Sequence, residues 1–271
     1  GIDLVEGTRV SIGRSIGSVL GDPNDLALVL MFPLAFTVSQ LMEKRSPKHL
    51  RLFALVTCLV LFFAIIETQS RGGLLGSLSV FAYFAFKHIK SKTLVLVLGA
   101  VAAIVLYAFA GISGRESGGA AEDGIDASAM GRLYAWEAAF KMALHHPLTG
   151  VGLDNFYFNY YFYSPHWDGI NHAVHSTWFG VLAETGFVGL AVFITLIVSL
   201  IRTSLHSISL LTPTSDYTLS VGANAVLSGL IGTIVSGTFL TQGFTWPIYI
   251  LAALTVVVSR IVQSDCQNEK P

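Results

Sequence analysis

Seven apolar runs, each near the length a bilayer demands, punctuate this chain, and no other feature narrows its fold so far. A hydrocarbon core of about 30 Å needs roughly 17 to 25 apolar residues at 1.5 Å per residue. The runs are Leu26–Met42, Leu52–Ile66, Leu74–Phe86, Thr93–Ile112, Phe187–Ile201, Leu219–Leu240 and Trp246–Val262. The third reaches spanning length only with Gly72, Gly73 and Lys87 to Lys90 at its ends, the lysines snorkelling. Only 12% of the 271 residues are charged, against about 25% in an ordinary soluble domain, so a soluble enzyme is excluded. Eighteen Phe, nine Tyr and four Trp among the Leu, Val and Ile runs exclude disorder. A net charge of −1 leaves no basic footprint for nucleic acid. Cys58, in an apolar run, and Cys266, in the polar tail, set up no disulfide framework. The expected fold is an all-α, polytopic membrane helical bundle.

Orientation follows from where Lys and Arg gather, because cytoplasmic loops hold the excess. Lys44, Arg45, Lys48, Arg51, Lys87, Lys90, Lys92, Arg202, Arg260 and Lys270 fall on one side. Arg9, Arg14, Arg71, Arg115, Arg132 and Lys141 fall on the other, spread over far more loop sequence. The amino-terminal segment is therefore expected outside and the carboxyl tail in the cytoplasm. Residues 1–25 do not read as a signal peptide, since Asp3, Glu6 and Arg9 interrupt any apolar core. In Gly21 to Asp25, Pro23 fixes a turn, and Asn24 or Asp25 is expected to cap the first span.

Three regions result: 1–112, an external segment and four spans; 113–175, one large external loop; and 176–271, an interfacial helix, three spans and the tail. The loop opens with a stretch rich in Gly and acid, Ser113 to Ser128. A helix is expected over about 129–146, with Leu133, Trp136, Phe140, Ala143 and Leu144 on its apolar face and Glu137, Lys141 and His145 opposite. Pro147 closes it. Leu148 to Val174 is crowded with aromatic residues, as befits a headgroup interface or a sugar or lipid groove. At 100° per residue, Arg132 falls about 40° from Trp136 and about 80° from Phe140. It thus sits at the edge of the apolar face, where its charge needs an anionic partner.

The chemistry rests on few residues. Arg71, followed by Gly72 and Gly73, stands at the external end of the hairpin between spans two and three. There it either snorkels to headgroups or meets a ligand that the glycines admit. His175 precedes Ser176, which is expected to cap a helix starting at Thr177. The positive end of that helix dipole favours the neutral imidazole a general base requires. His145 and His146 are assigned to capping, and Glu67 and Glu184 to structural pairing with Arg71 or Arg132. No His-x-x-x-His, Cys-x-x-Cys or Asp-x-Asp arrangement marks a metal site. Arg71, Arg132 and His175 share the external face with Arg14. Two or three guanidiniums there make a clamp for a diphosphate, and a neighbouring imidazole supplies a base.

At these residues the sequence resembles the O-antigen ligase family, bacterial membrane proteins that also include O-antigen polymerases and protein O-glycosylating oligosaccharyltransferases. His175-Ser176, nine residues and Gly186-Phe-Val-Gly189 are similar to the family's His, Asn/Ser/Gln, nine-residue spacer and Gly-x-x-Gly. Gly131-Arg132-Leu-Tyr-Ala-Trp136 resembles its arginine and aromatic element. His146-Pro-Leu-Thr-Gly150-Val-Gly152-Leu-Asp-Asn155-Phe156 resembles its next stretch. Thr68-Gln-Ser70-Arg71-Gly72-Gly73 is like its Thr-x-Ser-Arg-Gly span terminus, and Arg14 to Asn24 is similar to its external Gly and Pro-Asn segment. Full-length members carry further upstream spans, so the resemblance implies spans preceding residue 1.

The resemblance implies a glycosyltransferase of the GT-C kind in the bacterial inner membrane, with a periplasmic active site. It would move a glycan from a polyprenyl diphosphate to an acceptor hydroxyl, inverting the anomeric carbon without cofactor or metal. His175 would activate the acceptor, Arg132 and Arg71 would bind the diphosphate, and Arg14, Trp136, Asn155 and Ser176 would contact substrate. A lipid A core, a growing glycan or a protein would each serve as acceptor, so ligase, polymerase and protein oligosaccharyltransferase stay open. From another class, a transporter of lipid-linked glycans would use the same arginines as a vestibule, but would leave the glycan on its carrier; no internal repeat of the kind common in transporters occurs.

Overall fold

The computed structural model describes residues 2–5, 9–12, 21–109, 127–241 and 243–268. Among the described residues, a short antiparallel hairpin, β1 (Ile2–Val5) and β2 (Arg9–Ile12), is followed by nine helices: α1 (Pro23–Met42), α2 (Lys48–Glu67), α3 (Arg71–His88), α4 (Lys92–Phe109), α5 (Ala127–His145), α6 (Phe156–Tyr163), α7 (Thr177–Leu210), α8 (Tyr217–Gly237) and α9 (Trp246–Asn268). The hairpin was not foreseen. Its register sets Ile2 opposite Ile12, Leu4 opposite Val10 and Asp3 opposite Ser11, the alternation of a short strand pair. The chain is an all-α polytopic bundle. Among the described residues, α1, α2, α7, α8 and α9 are long and apolar enough to cross a membrane.

Span three forms a helix but falls short of that standard, and span four, a helix over Lys92–Phe109, runs partly outside the described residues. Gly72, Gly73, Gly76, Ser77 and Ser79 dilute the apolarity of α3. The helix caps also differ from expectation in one detail. Asp22, rather than Asn24 or Asp25, caps α1, its carboxylate accepting from the Asn24 N–H at 2.6 Å.

The fold divides into two compact units. The first holds Gly1–Ser113, Ser199–Ser236 and Trp246–Pro271; the second holds Gly114–Val198 and Gly237–Thr245. In the first unit, α3 packs on α1 and α8 through small residues. A Cβ on Gly73 would meet the Ala27 Cβ at 2.5 Å, and one on Gly232 would meet the Met31 Sδ at 2.5 Å. Close approach of this kind supplies dispersion contacts where lipid removes the hydrophobic drive between helices. The glycines after Arg71 therefore serve helix packing: Gly72 and Gly73 are helical and buried. On α2 only Ala54, Cys58 and Ile65 are buried, while Leu52, Phe53, Leu59, Val60 and Phe63 are exposed apolar side chains that a bilayer would cover.

Candidate active site

The second unit carries most of the residues singled out by sequence. Its core gathers Ala135, Ala138, Ala139 and Met142 of α5 with Phe156 and Tyr160 of α6, Val174, and Ala183 of α7. The packed face of α5 is thus its alanine face. Leu133, Phe140 and Leu144, expected inside by size, are exposed. The correction bears on Arg132. At 100° per residue its position falls between those of Ala139 and Ala143, both buried, so it lies within the packed arc instead of at the rim of an apolar one.

Four residues beyond Arg132, Trp136 ties α5 to the segment that carries His175. Its indole N–H donates to the Val174 carbonyl at 3.0 Å, and its ring stacks on Phe179 with centroids 5.1 Å apart. Helical residues four apart are neighbours on one face, so this tie brings the Arg132 face of α5 to the backbone of residues 174–179.

His175 is half-buried and stands in the left-handed region at φ 45°. Asp154 (φ 58°) and Gln69 (φ 50°) share that conformation. Each lies two residues before a helix starts, at Thr177, Phe156 and Arg71 respectively. Such backbone costs roughly 1–3 kcal/mol per residue and persists only where its surroundings enforce it. Two of the three lie next to Ser176 and Asn155, and the third lies next to Ser70, which caps the helix that Arg71 opens. The Ser70 hydroxyl accepts from the Gly73 N–H at 3.1 Å.

Ser176 caps α7 with its carbonyl, which accepts from the Gly180 N–H at 2.9 Å. Its hydroxyl was expected to cap as well. Instead that oxygen is buried and has no hydrogen-bond partner among the described residues. Asn155 caps α6 without a side-chain bond; its amide donates to the Leu153 carbonyl at 3.0 Å. Arg71 opens α3 in the first unit. Arg14 lies outside the described residues.

A backbone clasp holds the two longest motifs together. In an uninterrupted helix the Phe187 N–H would bond the Ala183 carbonyl. Gly186, at φ 69° and ψ −170°, breaks α7 there. The Phe187 N–H turns to the Pro147 carbonyl at 2.8 Å, and the freed Ala183 carbonyl accepts from Val151 at 2.9 Å. Gly152 adds a third bond, to the Glu184 carbonyl at 3.1 Å. Contact is tight enough to exclude any side chain: a Cβ on Gly150 would sit 2.4 Å from the Ala183 carbonyl oxygen, and one on Gly186 would sit 2.5 Å from that of Pro147.

Other polar groups hold the loop in shape. The Glu184 carboxylate accepts from the Phe156 N–H at the start of α6 (3.4 Å), a capping role that its spacing in sequence did not reveal. It lines a cavity of about 280 Å³ with Asp154, Thr177, Thr241 and Thr245. The Thr177 hydroxyl donates to the Leu240 carbonyl (2.7 Å) and the Trp178 indole to the Thr238 hydroxyl (3.2 Å), fixing the segment Gly237–Thr245 to the start of α7. His145 bonds the Lys141 carbonyl at 2.8 Å, as a capping histidine should, while His146 reaches the Tyr163 hydroxyl at 3.0 Å. His172 pairs with Asp168 at 3.0 Å and holds that carboxyl below the usual range through its hydrogen bond. Glu137 is likewise held low, chiefly by Lys141 at 2.9 Å. Around α6, Tyr157, Phe158, Tyr161, Phe162 and Trp167 stay exposed.

Sequence reasoning did not find the clasp, the strained backbone or the Trp136 tie. No curated protein matches the chain. A family model described as O-antigen ligase matches residues 53–194. That is just over half of the chain, and it takes in Arg71, Arg132, Trp136, Asn155, His175 and the Gly186 break. The chain belongs to the O-antigen ligase family, whose activity is of the glycosyltransferase type.

Proposed function

We propose that this chain transfers a glycan from a polyprenyl diphosphate to an acceptor hydroxyl at the periplasmic face of the bacterial inner membrane. The acceptor oxygen attacks the anomeric carbon as His175 takes its proton. The bond from that carbon to the diphosphate breaks on the opposite face, so configuration inverts, and the polyprenyl diphosphate departs. Arg132 and Arg71 meet the leaving charge with paired N–H donors. Fixed guanidiniums do here what a metal does elsewhere, since a diphosphate already leaves readily and needs mainly positioning.

The observation that carries this reading is the Trp136 indole bonded to the Val174 carbonyl at 3.0 Å. It couples the helix of a half-buried arginine to the strained backbone of a half-buried histidine. Strain of this kind concentrates at sites that must hold a group in one orientation. The exposed aromatic side chains of α6 suit a glycan or headgroup surface.

The test is a reconstituted assay with a polyprenyl-diphosphate oligosaccharide and three rival acceptors: lipid A core, a glycan and a protein. The acceptor that gains mass decides between ligase, polymerase and protein glycosylation. Arg132→Ala and His175→Ala should each lower transfer by about 10²–10³-fold, the loss seen when one electrostatic stabiliser is removed, with insertion and folding intact. Transfer unchanged in either variant removes that residue from the mechanism. A glycan moved across the membrane but still on its carrier would identify a transporter.

A further inference from the structure

A second polar cavity lies at the end of α3 remote from Arg71. Lys87 is about 24 Å from Arg71 along the helix axis. There the end of α1, the last turn of α3 and the first turns of α8 enclose about 270 Å³, lined by Ser39, Glu43, Lys44, Lys87, His88 and Asn224 among others. All belong to the first unit.

The charges in this cavity do not balance. Its one carboxylate, Glu43, is engaged by Arg45, whose Nε donates to Oε1 at 3.1 Å and whose backbone N–H donates to the same oxygen at 3.0 Å. Arg45 is held in turn by the Pro213 and Ser215 carbonyls, at 3.0 and 2.7 Å. The half-buried Lys87 ammonium donates to the Asn224 Oδ1, a neutral oxygen that already accepts from the Tyr83 hydroxyl at 2.8 Å. The Asn224 amide is fixed by its own bond to the Ser220 carbonyl at 2.7 Å. Among the described residues Lys87 makes no salt bridge; the Glu43 carboxylate that faces it across the cavity is already bonded to Arg45, so positive charge remains in excess and calls for an anion. Lys44, exposed, lines the same cavity and adds a second positive charge. Met42, 38% exposed, supplies an apolar flank to the same cavity.

We propose that this cavity seats the phosphate of an anionic phospholipid, from the leaflet at the lysine-rich end of the bundle. Lys87 and Lys44 pair with the phosphate oxygens, and the acyl chains run over Met42. A basic pocket between helix ends, opening to lipid, suits such a headgroup better than a free ion.

The test uses the full chain in nanodiscs of phosphatidylcholine containing phosphatidylglycerol, released into a native mass spectrometer. The wild type should retain phosphatidylglycerol and shed phosphatidylcholine. Lys87→Gln should lower retention about fivefold and the double Lys44→Gln/Lys87→Gln change about thirtyfold, whereas Lys87→Arg should keep most of it. Lys44 is exposed, so Lys44→Gln reports on binding without touching the fold. Equal retention of the two lipids, or no loss in the double variant, would overturn the proposal. Displacement of the lipid by millimolar inorganic phosphate would overturn the lipid assignment in favour of a free anion.

Discussion

The α1–α3–α8 packing and the loop unit around α5, α6 and the start of α7 are held together by opposite means. In the bundle, contact is made by small side chains against Met31, Ala27 and Val80, and the bonds between helices come from side chains, such as the Ser39 hydroxyl to the Val221 carbonyl and the Tyr83 hydroxyl to Asn224. In the loop unit, contact is made by main-chain groups that leave one helix to bond another segment: Phe187 to Pro147, Val151 to Ala183, Gly152 to Glu184. Dispersion packing yields gradually, because a methionine end can move aside. A backbone bond has no such slack. The membrane part should therefore tolerate added volume, whereas the loop unit should fail on a single methyl group.

The largest expected effect is at Gly186. Its φ and ψ lie in a region open essentially to glycine alone, and a methyl group would also strike the Pro147 carbonyl. Gly186→Ala should cost about 3–5 kcal/mol, read as early thermal loss of the loop unit and rapid proteolysis within residues 146–176. Gly232→Ala in the bundle meets only side chains at its two nearest contacts and should cost less, about 1–2 kcal/mol. The reverse order in thermal unfolding would break the comparison.

Trp136→Phe comes next. It keeps an aromatic ring against Phe179 but leaves the Val174 carbonyl without its indole donor, at about 1–2 kcal/mol. Transfer should fall further than this loss of stability explains, because the loop carrying His175 is released. Equal effects on transfer and stability would make the tie merely structural.

Gly131→Ala should act the other way. A Cβ there meets nothing within 4 Å, so alanine should stabilise α5 by about 0.5–1 kcal/mol. A more stable protein that has lost transfer would show that substrate needs the space beside Arg132.

The smallest effect is that of acid. The Asp168 carboxyl is held low by His172, so its contribution is complete above the unfolded carboxylate value of about 3.9 and is lost as pH falls through the lower folded value. Protease cleavage near residues 164–172 should rise at the acid end of that range, and His172→Ala should remove this dependence. An unchanged acid profile in His172→Ala would show that the pair does not stiffen the turn.

Much of the membrane part was legible because bilayer thickness writes itself into run length. Most predicted spans coincide with helices within a few residues, although α7 runs nine residues past the fifth span to Leu210 and α9 six past the seventh to Asn268, and the helix expected at about 129–146 is present as Ala127–His145. The face of α5 was misread for a physical reason. Side-chain size predicts burial in water, but Leu133, Phe140 and Leu144 belong to a membrane protein, where large apolar groups are equally at home facing outward. Alanines 135, 138 and 139 are buried because they let α5 approach its neighbours. The motif residues could be found by sequence, but not the reason for their glycines. Gly150 and Gly186 are 36 residues apart, and only the fold lays their backbones against each other.

Sequence alone therefore determined that this is a helical membrane protein and which arginines and histidine stand out in it, since hydropathy, charge and motif spacing are local properties. Tertiary structure decided that α5 turns its alanines inward and that His175 is held in a left-handed conformation. It also decided that the helix break at Gly186 is filled by residues 147–152. Each of these depends on which distant backbone group is near enough to bond, and no local pattern records that distance.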